Sequence, residues 1–347
     1  MTRVLVCGDP HIKTDNVCEV NLFLDKIEEL AKNKNPDVIV ILGDVLHTHE
    51  RVHTVALNKA YEFVDKMRKV AKTYVLVGNH DYCNNQQYLT ENHWMNGMKE
   101  WDNVVIVDKA LKEMFGKYEV ILCPYVPNGR FIDALSTLGN WRSANLIFAH
   151  QEFKGCKMGA IISEDGDEWD LTFPEIISGH IHSNQRPQKN IYYPGSAMQN
   201  AFGESERNII SCIEIIGNSY VNEEIDLGLP RKKIVYMNVE NVEDYKPPEG
   251  SDEIKVTVSG VYEEFKALKK TNEYKKLIEK GVKVVFKQKK LDIKEEYKEV
   301  EGLVDFKSIL LDIVNMQKDS MLVQAYELVV NGKDMNDKDV IFLDVKT

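Results

Sequence analysis

The chain has 347 residues, of which 43% are hydrophobic and 29% are charged, and its formal net charge is −11. This composition is that of an ordinary globular protein and excludes a low-complexity chain. The longest apolar runs, such as residues 38–42, are too short to cross a bilayer, and residues 1–11 do not resemble a signal peptide. The six cysteines are scattered without a CxxC pair, which argues against a disulfide framework or a zinc ribbon. We therefore expect an intracellular, cytoplasmic protein without a membrane partner, in the host cytoplasm if its source is a virus.

Up to residue 228 the sequence alternates between predicted strands and predicted helices. Residues 20–34 and 55–71 each carry an apolar stripe at helical spacing. Strands that are separated by helices need crossover connections, so part of the sheet is parallel. The later strands follow one another closely and indicate a second, mixed sheet, which predicts an α/β sandwich flanked by helices. The predicted strands are residues 3–7, 38–42, 74–77, 104–107, 120–123, 146–149, 176–178, 191–193 and 209–215.

After residue 230 the pattern changes to a small strand–helix–strand unit. Its predicted strands are residues 254–258 and 282–287, and one helix is predicted between them at 262–280. We therefore expect a small α/β capping domain over residues 231–290, following a first domain over residues 1–228.

The C-terminal part contains a charged linker and two short amphipathic stretches. The linker covers residues 291–302, and the amphipathic stretches cover 303–316 and 320–330. This pattern predicts a helix-loop-helix over residues 303–332, followed by a tail at 333–347. Helices this short need a surface to pack against, either within the chain or on a partner.

Polar motifs follow several of the predicted strands. They are Gly-Asp-Pro-His at 8–11, Leu-Gly-Asp-Val at 42–45, Gly-Asn-His-Asp at 78–81, the single His150, and Ser-Gly-His-Ile-His at 178–182. Ligand sites in open α/β sheets form at the carboxyl ends of strands, so these motifs can converge in space. Any one of them alone is also compatible with an ordinary turn or helix cap. Five in this order, each after a strand, favour one shared site.

The residue types in these motifs indicate metal binding. Carboxylate, carboxamide and imidazole groups without a thiolate suit Mn²⁺, Fe²⁺ or Zn²⁺. A two-metal mechanism of phosphoester hydrolysis also needs one carboxylate that bridges both ions. The sequence therefore predicts a two-metal phosphoesterase.

The order and spacing of the motifs resemble those of the calcineurin-like metallophosphoesterases over about residues 1–215. The resemblance implies a four-layer α/β/β/α sandwich and a hydrolase with two divalent metal ions. It favours Mn²⁺, with Fe²⁺, Zn²⁺ and Mg²⁺ as alternatives.

Carried over position by position, the resemblance also implies roles for individual residues. One ion would be held by Asp9, His11 and His182, the other by Asn79, His150 and His180, and both by the bridging Asp44. A second group of residues would act on the substrate. His80 would contact the phosphate and help the leaving group depart, and Asp81 would hold His80 in the required tautomer.

Three further features resemble the Mre11/SbcD nucleases of DNA repair and recombination. The first is Tyr-Pro-Gly-Ser at 193–196 followed by Phe-Gly-Glu at 202–204, and the second is His47, three residues after Asp44. The third is the layout after residue 230. His47 would orient a DNA phosphodiester without holding a metal; the alternative is an ordinary loop histidine that forms a histidine-rich surface with His49 and His53.

This second resemblance implies a Mn²⁺-dependent DNA exonuclease and endonuclease with macromolecular partners. The segment 303–332 would bind an SMC-like ATPase of the Rad50 or SbcC kind. Helices within residues 54–72 and 88–101 would pair two copies into a homodimer.

Charge is distributed unevenly along the chain. Residues 265–290 contain ten lysines and two acidic residues, which suits contact with a DNA backbone, although a solvated helix face is the alternative. Residues 163–170 are strongly acidic, and we expect an exposed loop without a metal there. The candidate DNA contacts are Lys266, Lys269, Lys270, Lys276, Lys287 and Lys289.

Two other functions remain as alternatives to a DNA nuclease. One is a stand-alone phosphodiesterase or phosphatase that acts on nucleotides or small phosphoesters. The other is a non-catalytic scaffold, which is disfavoured because every ligand position of the family is filled.

Overall fold

The chain divides into two units, Met1–Lys289 and Lys290–Thr347. Lys289, the linker predicted at 291–302 and the tail predicted at 333–347 lie outside the residues that the structure describes. Within the described part of the chain, no helix is long and apolar enough to span a membrane. The computed structural model describes residues 1–49, 51–288, 306–317, 321–323 and 325–326.

The described residues form seventeen strands, numbered in chain order. They are β1 (Thr2–Cys7), β2 (Val38–Ile41), β3 (Lys72–Leu76), β4 (Val104–Val107), β5 (Leu111–Phe115), β6 (Tyr118–Cys123), β7 (Leu146–His150), β8 (Lys157–Met158), β9 (Ile161–Ile162), β10 (Ile176–Gly179), β11 (Gln185–Gln188), β12 (Ile191–Tyr193), β13 (Ile210–Ile216), β14 (Ser219–Ile225), β15 (Lys232–Asn238), β16 (Glu253–Gly260) and β17 (Lys283–Gln288).

Six α-helices and two short 3-10 helices lie in the same described ranges. The α-helices are α1 (Val17–Lys34), α2 (Thr54–Arg68), α3 (Phe131–Ser136), α4 (Tyr262–Leu268), α5 (Asn272–Glu279) and α6 (Phe306–Met316). The 3-10 helices are Trp94–Glu100 and Val239–Asn241.

Two six-stranded sheets form the body of the first unit. The first has the order β14-β13-β1-β2-β3-β4, in which β1 to β4 are parallel and β13 is antiparallel to β1. The second has the order β11-β12-β10-β7-β6-β5, with four parallel strands between antiparallel edge strands. Parallel strands in one sheet end at the same edge, so the polar motifs that follow them are brought together.

Alternation of side chains along the strands separates the hydrophobic core into layers. On β1, Leu5 packs with Phe23 of α1 and Phe63 of α2, whereas Val4 packs between the two sheets. On the far side of the second sheet, Ile121 packs with residues of α3. The result is an α/β/β/α sandwich, so the predicted fold class is confirmed.

Six strands were not predicted from the sequence, namely β5, β8, β9, β11, β14 and β15. Two of them, β5 and β14, are edge strands with many polar residues. Each is joined to its neighbour by a two-residue turn containing Gly116 or Gly217, and both glycines have a φ of 62°. Such turns are a hairpin signal that could have identified these two strands.

The predicted capping unit contains a three-stranded parallel sheet, β15-β16-β17, with its own hydrophobic core. The prediction of one helix at 262–280 was wrong, because two helices are present. The hydroxyl of Thr271 accepts a hydrogen bond from the backbone N–H of Tyr274 (3.2 Å) and so caps α5. A threonine that bonds locally in this way starts a new helix instead of continuing α4.

Polar contacts join this sheet to the sandwich within the first unit. Lys232 Nζ lies 2.5 Å from Glu19 Oε2 on α1 and 3.3 Å from Glu253 Oε1 on β16. Arg231 Nη1 lies 2.7 Å from Asn208 Oδ1. The sheet is therefore held against the body through its first strand.

The second unit contains α6, which agrees with the predicted helix over 303–316 where the structure describes it. Residues 321–323 and 325–326 are also helical, within the second predicted helix. Residues 303–305 and 327–332 of the predicted helix-loop-helix lie outside the described part.

Candidate metal centre

The seven predicted ligands lie at the carboxyl ends of five parallel strands. Strands β1, β2 and β3 supply ligands from one sheet, and β7 and β10 supply them from the other, so the centre lies where the ends of the two sheets meet. Five ligands are buried, and two are partly buried. The buried ones are Asp9, His11, Asp44, Asn79 and His150, and the partly buried ones are His180 and His182.

The loops that carry the ligands approach one another very closely. A Cβ atom at Gly78 would lie 2.2 Å from Asp44 Oδ1, so only glycine fits there. His11, Asp44 and His180 have φ angles of 46°, 48° and 79°, a region that side-chain-bearing residues rarely occupy. Strained backbone of this kind is typical of functional sites.

The first donor set consists of Asp9, His11 and His182, which bring one ligand atom each within 4.8 Å of one another. Nε2 of His11 lies 2.8 Å from Nε2 of His182. Nδ1 of His182 faces Glu204 Oε1 at 3.1 Å, so its Nε2 is left for a ligand. Oδ1 of Asp9 is buried and has no hydrogen-bond partner among the residues that the structure describes.

The second donor set consists of Asp44, His150 and His180, again within 4.8 Å of one another. Oδ1 of Asn79 lies 3.1 Å from His150 Nε2 and 2.8 Å from His180 Nδ1, so the carboxamide belongs to the same set. Nδ1 of His150 faces the carbonyl oxygen of Leu42 at 2.7 Å. That contact fixes the proton on Nδ1 and leaves Nε2 free to bind a metal.

Asp44 lies between the two donor sets. Its Oδ2 is 3.6 Å from His11 Nε2 in the first set and 3.4 Å from His150 Nε2 in the second. Its Oδ1 accepts a hydrogen bond from the backbone N–H of His80 (2.8 Å). This carboxylate therefore has the position that a bridging ligand requires.

The electrostatics of the site call for additional positive charge. Burial raises the pKa of Asp9. Burial acts in the same direction on Asp44, but His150 and His11 outweigh it and hold the pKa of Asp44 well below its usual range. Burial would lower the pKa of His150, but Asp44 and Asp9 raise it to about 9. Two buried carboxylates whose ion-pair partners are histidines are stabilised by cations.

The residues present fit two divalent metal ions. Both donor sets offer nitrogen and oxygen atoms only, and Asp9 Oδ1 is buried with no hydrogen-bond partner in the described ranges of the chain. This chemistry suits Mn²⁺, Fe²⁺ or Zn²⁺. When bound, two such ions polarise a phosphoester and activate water for attack on phosphorus.

His80 lies beside the donor sets with a defined ring orientation. Its Nδ1 is 2.7 Å from the carbonyl oxygen of His47 and donates to it, so Nε2 is left for a substrate oxygen. Its ring also packs edge-on against His11, with 4.9 Å between ring centroids. Burial lowers the pKa of His80.

The predicted contact between Asp81 and the His80 ring was wrong. The carbonyl of His47 takes the place that the Asp81 carboxylate was expected to fill. Asp81 is instead buried between the loops that follow β2 and β3, and burial raises its pKa to about 7. Its oxygens accept hydrogen bonds from the backbone N–H of Val45, Leu46 and Gly78 and from the indole N–H of Trp94. It thus holds the two loops together.

Two neighbouring histidines join the site. Nδ1 of His47 lies 3.3 Å from Nδ1 of His11, and the His47 ring stacks on His80 with 5.5 Å between centroids. His49 also stacks on His80, with 4.7 Å between centroids, and is partly buried. His53 is exposed and caps α2 through Val55.

Sequence reasoning missed two carboxylates that contact the ligands from outside. Glu204, quoted only as part of a motif, faces Nδ1 of His182. Glu152 Oε2 lies 3.8 Å from His180 Nε2. The Phe-Gly-Glu motif at 202–204 is a signal that could have identified Glu204, whereas the sequence around Glu152 carries no such signal.

The acidic segment 163–170 was expected to be an exposed loop, and this was wrong in part. Ser163 and Asp167 are buried, with 4% and 6% of their surface exposed. Asp167 Oδ2 accepts a hydrogen bond from Gln151 (2.7 Å), the residue after His150. The segment therefore supports a loop that carries a ligand.

The lysines predicted to contact DNA lie on the surface of the capping sheet and its helices, as far as the structure describes them. They are Lys266, Lys269, Lys270, Lys276 and Lys287. Two other lysines lie beside the segment that carries Glu204. Lys255 Nζ and Lys283 Nζ are 5.6 Å and 5.1 Å from the ring centre of Phe202, two residues before Glu204.

Known proteins share this sequence pattern. A profile of the family described as Calcineurin-like phosphoesterase matches residues 2–184. Protein 244L of Invertebrate iridescent virus 6 is 47% identical over 276 residues, which are 77% of this chain and 97% of that protein. Protein 078R of Invertebrate iridescent virus 3 is 43% identical over 326 residues, which are 92% of this chain and 94% of that protein. Both viral proteins are named as phosphoesterases.

A purple acid phosphatase from seeds of yellow lupin (Lupinus luteus) is similar in structure with a TM-score of 0.42 and 10% identity, over 64% of this chain and 51% of its own. The family profile covers more than half of the chain, and it includes all the motifs that supply the seven ligands. This chain belongs to the calcineurin-like phosphoesterases.

Proposed function

We propose that this phosphoesterase is a Mn²⁺-dependent DNA nuclease with exonuclease and endonuclease activity, the nuclease subunit of a complex like Mre11–Rad50 or SbcCD. The observation that carries the proposal is the position of His47. Its half-buried ring lies 3.3 Å from the ligand His11 and stacks on His80, so it borders the place where a phosphate would bind. Hydrolysis of a simple phosphoester needs no second histidine here, whereas a DNA end has to be oriented.

Each histidine has a distinct part in the proposed reaction. Nε2 of His80 points away from the His47 carbonyl and is available to the leaving oxygen of the ester. The ring of His47 contacts a non-bridging oxygen of the phosphodiester and fixes its orientation. Correct orientation of this kind contributes strongly to rate.

The capping sheet supports the choice of DNA as substrate. Lys255 and Lys283 lie over Phe202, on the segment that also carries Glu204 to the first donor set. Lys255 and Lys283 add positive charge beside this segment, although Lys283 also pairs with Glu253, and the backbone of a DNA strand would pass here.

The test compares DNA ends with closed DNA. His47→Ser should lower exonuclease activity on end-labelled duplex DNA about a hundredfold, because the loss of one positioning contact has an effect of this size. Cleavage of single-stranded circles should largely survive. His53→Ser is the matched control, because His53 is exposed and lies outside the site. Equal rates of end degradation in wild-type protein and His47→Ser would rule out the assignment.

The proposal includes an SMC-like ATPase of the Rad50 or SbcC kind as partner of the second unit. On α6, Ile313 and Met316 expose 51% and 78% of their surface. Apolar side chains exposed on a short helix favour binding to a partner groove.

The proposal also includes a homodimer. Tyr61 on α2 packs against Trp94 and Trp101 at 5.8 Å each, so the two stretches predicted to pair across a two-fold axis form one surface. Val52 and Val55 are exposed at the start of α2. Solution scattering at micromolar concentration should give the mass of two chains, and a monomer mass would rule out a stable dimer.

A second candidate is a phosphodiesterase for nucleotides or small phosphoesters. A cavity of about 410 Å³ borders His180 and His182 on one side and Met158 on the other. Its size suits one nucleotide. If the Mn²⁺-loaded protein hydrolyses nucleotide esters but degrades neither linear nor circular DNA, this candidate replaces the nuclease.

A further inference from the structure

The ring of His80 is surrounded by other imidazoles. His49 stacks on it with 4.7 Å between centroids and an angle of 15° between planes, and His47 does so at 5.5 Å and 9°. His11 meets it edge-on. His11 and His47 belong to the site already described, which leaves His49 as the contact without an assigned role.

His49 is itself anchored to the loop that carries His80. Its Nδ1 lies 3.3 Å from the carbonyl oxygen of Tyr82, two residues after His80, and Tyr82 is buried. His49 comes from the other loop, five residues after Asp44. The ring therefore links the loop of the bridging carboxylate to the loop of His80.

We propose that His49 is a positioning residue that holds the imidazole of His80 in place for its action on the leaving group. The inference rests on the part of His80 in phosphoester hydrolysis and goes beyond it. Nδ1 of His80 is held by one carbonyl, which still permits the ring to pivot about that hydrogen bond. Stacking of a second, anchored ring restricts this pivot and keeps Nε2 directed at the substrate.

The expected chemistry distinguishes this role from general support of the fold. Help from His80 matters most when the leaving oxygen is a poor leaving group, such as an alkoxide, and least for a nitrophenolate. Loss of His49 should therefore affect an alkyl ester much more than an aryl ester. A merely structural contact would lower both rates equally.

The test uses two small phosphodiesters, the p-nitrophenyl ester of thymidine monophosphate and a thymidine dinucleotide, with the Mn²⁺-loaded full-length protein. His49→Ala should lower kcat on the dinucleotide about tenfold and leave the aryl ester within about twofold. His49→Phe keeps a stacking ring but loses the hydrogen bond to Tyr82, and should recover most of the rate. His53→Ala, four residues further along, is the control.

A double variant tests whether the effect passes through His80. In the background of His80→Ala, the further change His49→Ala should cost nothing more, because the ring that it positions is absent. Additive losses, or equal losses on both esters, would overturn the proposal.

A measurement that needs no turnover tests the position of the His80 ring independently of the substrate. In the Zn²⁺-loaded protein, the imidazole resonances of His80 should be broader in His49→Ala than in wild type, because the ring pivots, and should narrow again in His49→Phe; loss of the ring current alone changes their positions, so the linewidth is the readout. Linewidths as narrow as those of wild type in His49→Ala would overturn the proposal even if neither ester is cleaved, whereas absence of cleavage with broadened resonances would count only against the proposed substrates.

Discussion

The metal centre and the capping sheet are both built on parallel strands, but they differ in how their charged side chains are buried and paired. At the metal centre the strand ends bury carboxylates and imidazoles that face one another, and no lysine or arginine in the described part of the chain forms an ion pair with these carboxylates. Along β16 of the capping sheet, buried and partly exposed side chains alternate, and Glu253 forms ordinary ion pairs with Lys232 and Lys283. Coordination chemistry therefore determines the residue types at the metal centre, whereas packing and solvation determine those of the capping sheet.

The largest effect that sharpens this comparison concerns His80. His80→Ala should lower kcat on a phosphodiester by about 10² to 10⁴, the usual contribution of one proton-transfer group, and leave metal affinity unchanged. The reason is that His80 is not one of the seven ligands and its Nδ1 is taken by the carbonyl oxygen of His47, although a ring nitrogen of His80 also lies within 4.8 Å of ligand atoms of His11 and His47. Initial rates at saturating Mn²⁺ check this, and a loss of bound metal in the variant would contradict it.

The next effect concerns the carboxylate behind a ligand. Glu204→Ala should weaken binding of one metal ion about 10- to 100-fold, because Nδ1 of His182 loses its acceptor and the ring is no longer oriented. Calorimetric titration with Mn²⁺ measures the change. Glu206→Ala, an exposed neighbour, should bind like wild type, and similar weakening in both variants would mean that the effect is not specific to His182.

A smaller effect concerns a buried carboxylate, Asp108, that is hydrogen-bonded to a lysine and a histidine. Burial would raise the pKa of Asp108, but hydrogen bonds from His93 and Lys99 outweigh burial and hold it at about 2. A lowered pKa stabilises the fold above the unfolded-state pKa, and this stabilisation is lost as pH falls towards 2. Asp108→Asn should therefore lower the free energy of unfolding by about 2 kcal/mol at pH 7 and by much less near pH 2.

Urea denaturation at both pH values measures this difference. Asp102→Asn, an exposed carboxylate nearby, is the control and should change stability little. A loss in Asp108→Asn that is equally large in acid would show that packing, and not charge, is the cause.

The smallest expected effect concerns the second unit. Deleting residues 303–347 should leave Mn²⁺-dependent phosphodiester hydrolysis at the wild-type rate, because all seven ligands lie in the first unit, and should abolish binding to the ATPase. Activity and pull-down with the purified ATPase check the two halves of the prediction. Loss of folding in the truncated protein would favour internal packing of these helices instead.

The candidate ligands could be named from the sequence because metal coordination restricts residue type, and because their order at strand ends resembles that of a known family. The structure brings Asp9, His11, Asp44, Asn79 and His150 together with His180 and His182, and metal binding by this set stays a prediction. The sandwich followed from Val- and Ile-rich strands between amphipathic helices.

Contacts between loops could not be predicted in the same way. The partner of Asp81 depends on how the loops after β2 and β3 fold over each other, and a backbone carbonyl took the expected place of its carboxylate beside His80. The stacking of His49 depends on the same loops. In the cap, one local hydrogen bond of Thr271 decided between one helix and two.

The most direct test of the account counts metal ions in two variants. Calorimetric titration should give two Mn²⁺ ions per wild-type chain and two in His80→Ala, but in Asp44→Asn the affinity for both ions should fall and phosphodiester hydrolysis should be lost. The reason is the position of Asp44 Oδ2 between the two donor sets, 3.6 Å from His11 Nε2 and 3.4 Å from His150 Nε2. Equal metal loss in His80→Ala and Asp44→Asn, or unchanged binding of both ions in Asp44→Asn, would contradict a centre bridged by this carboxylate.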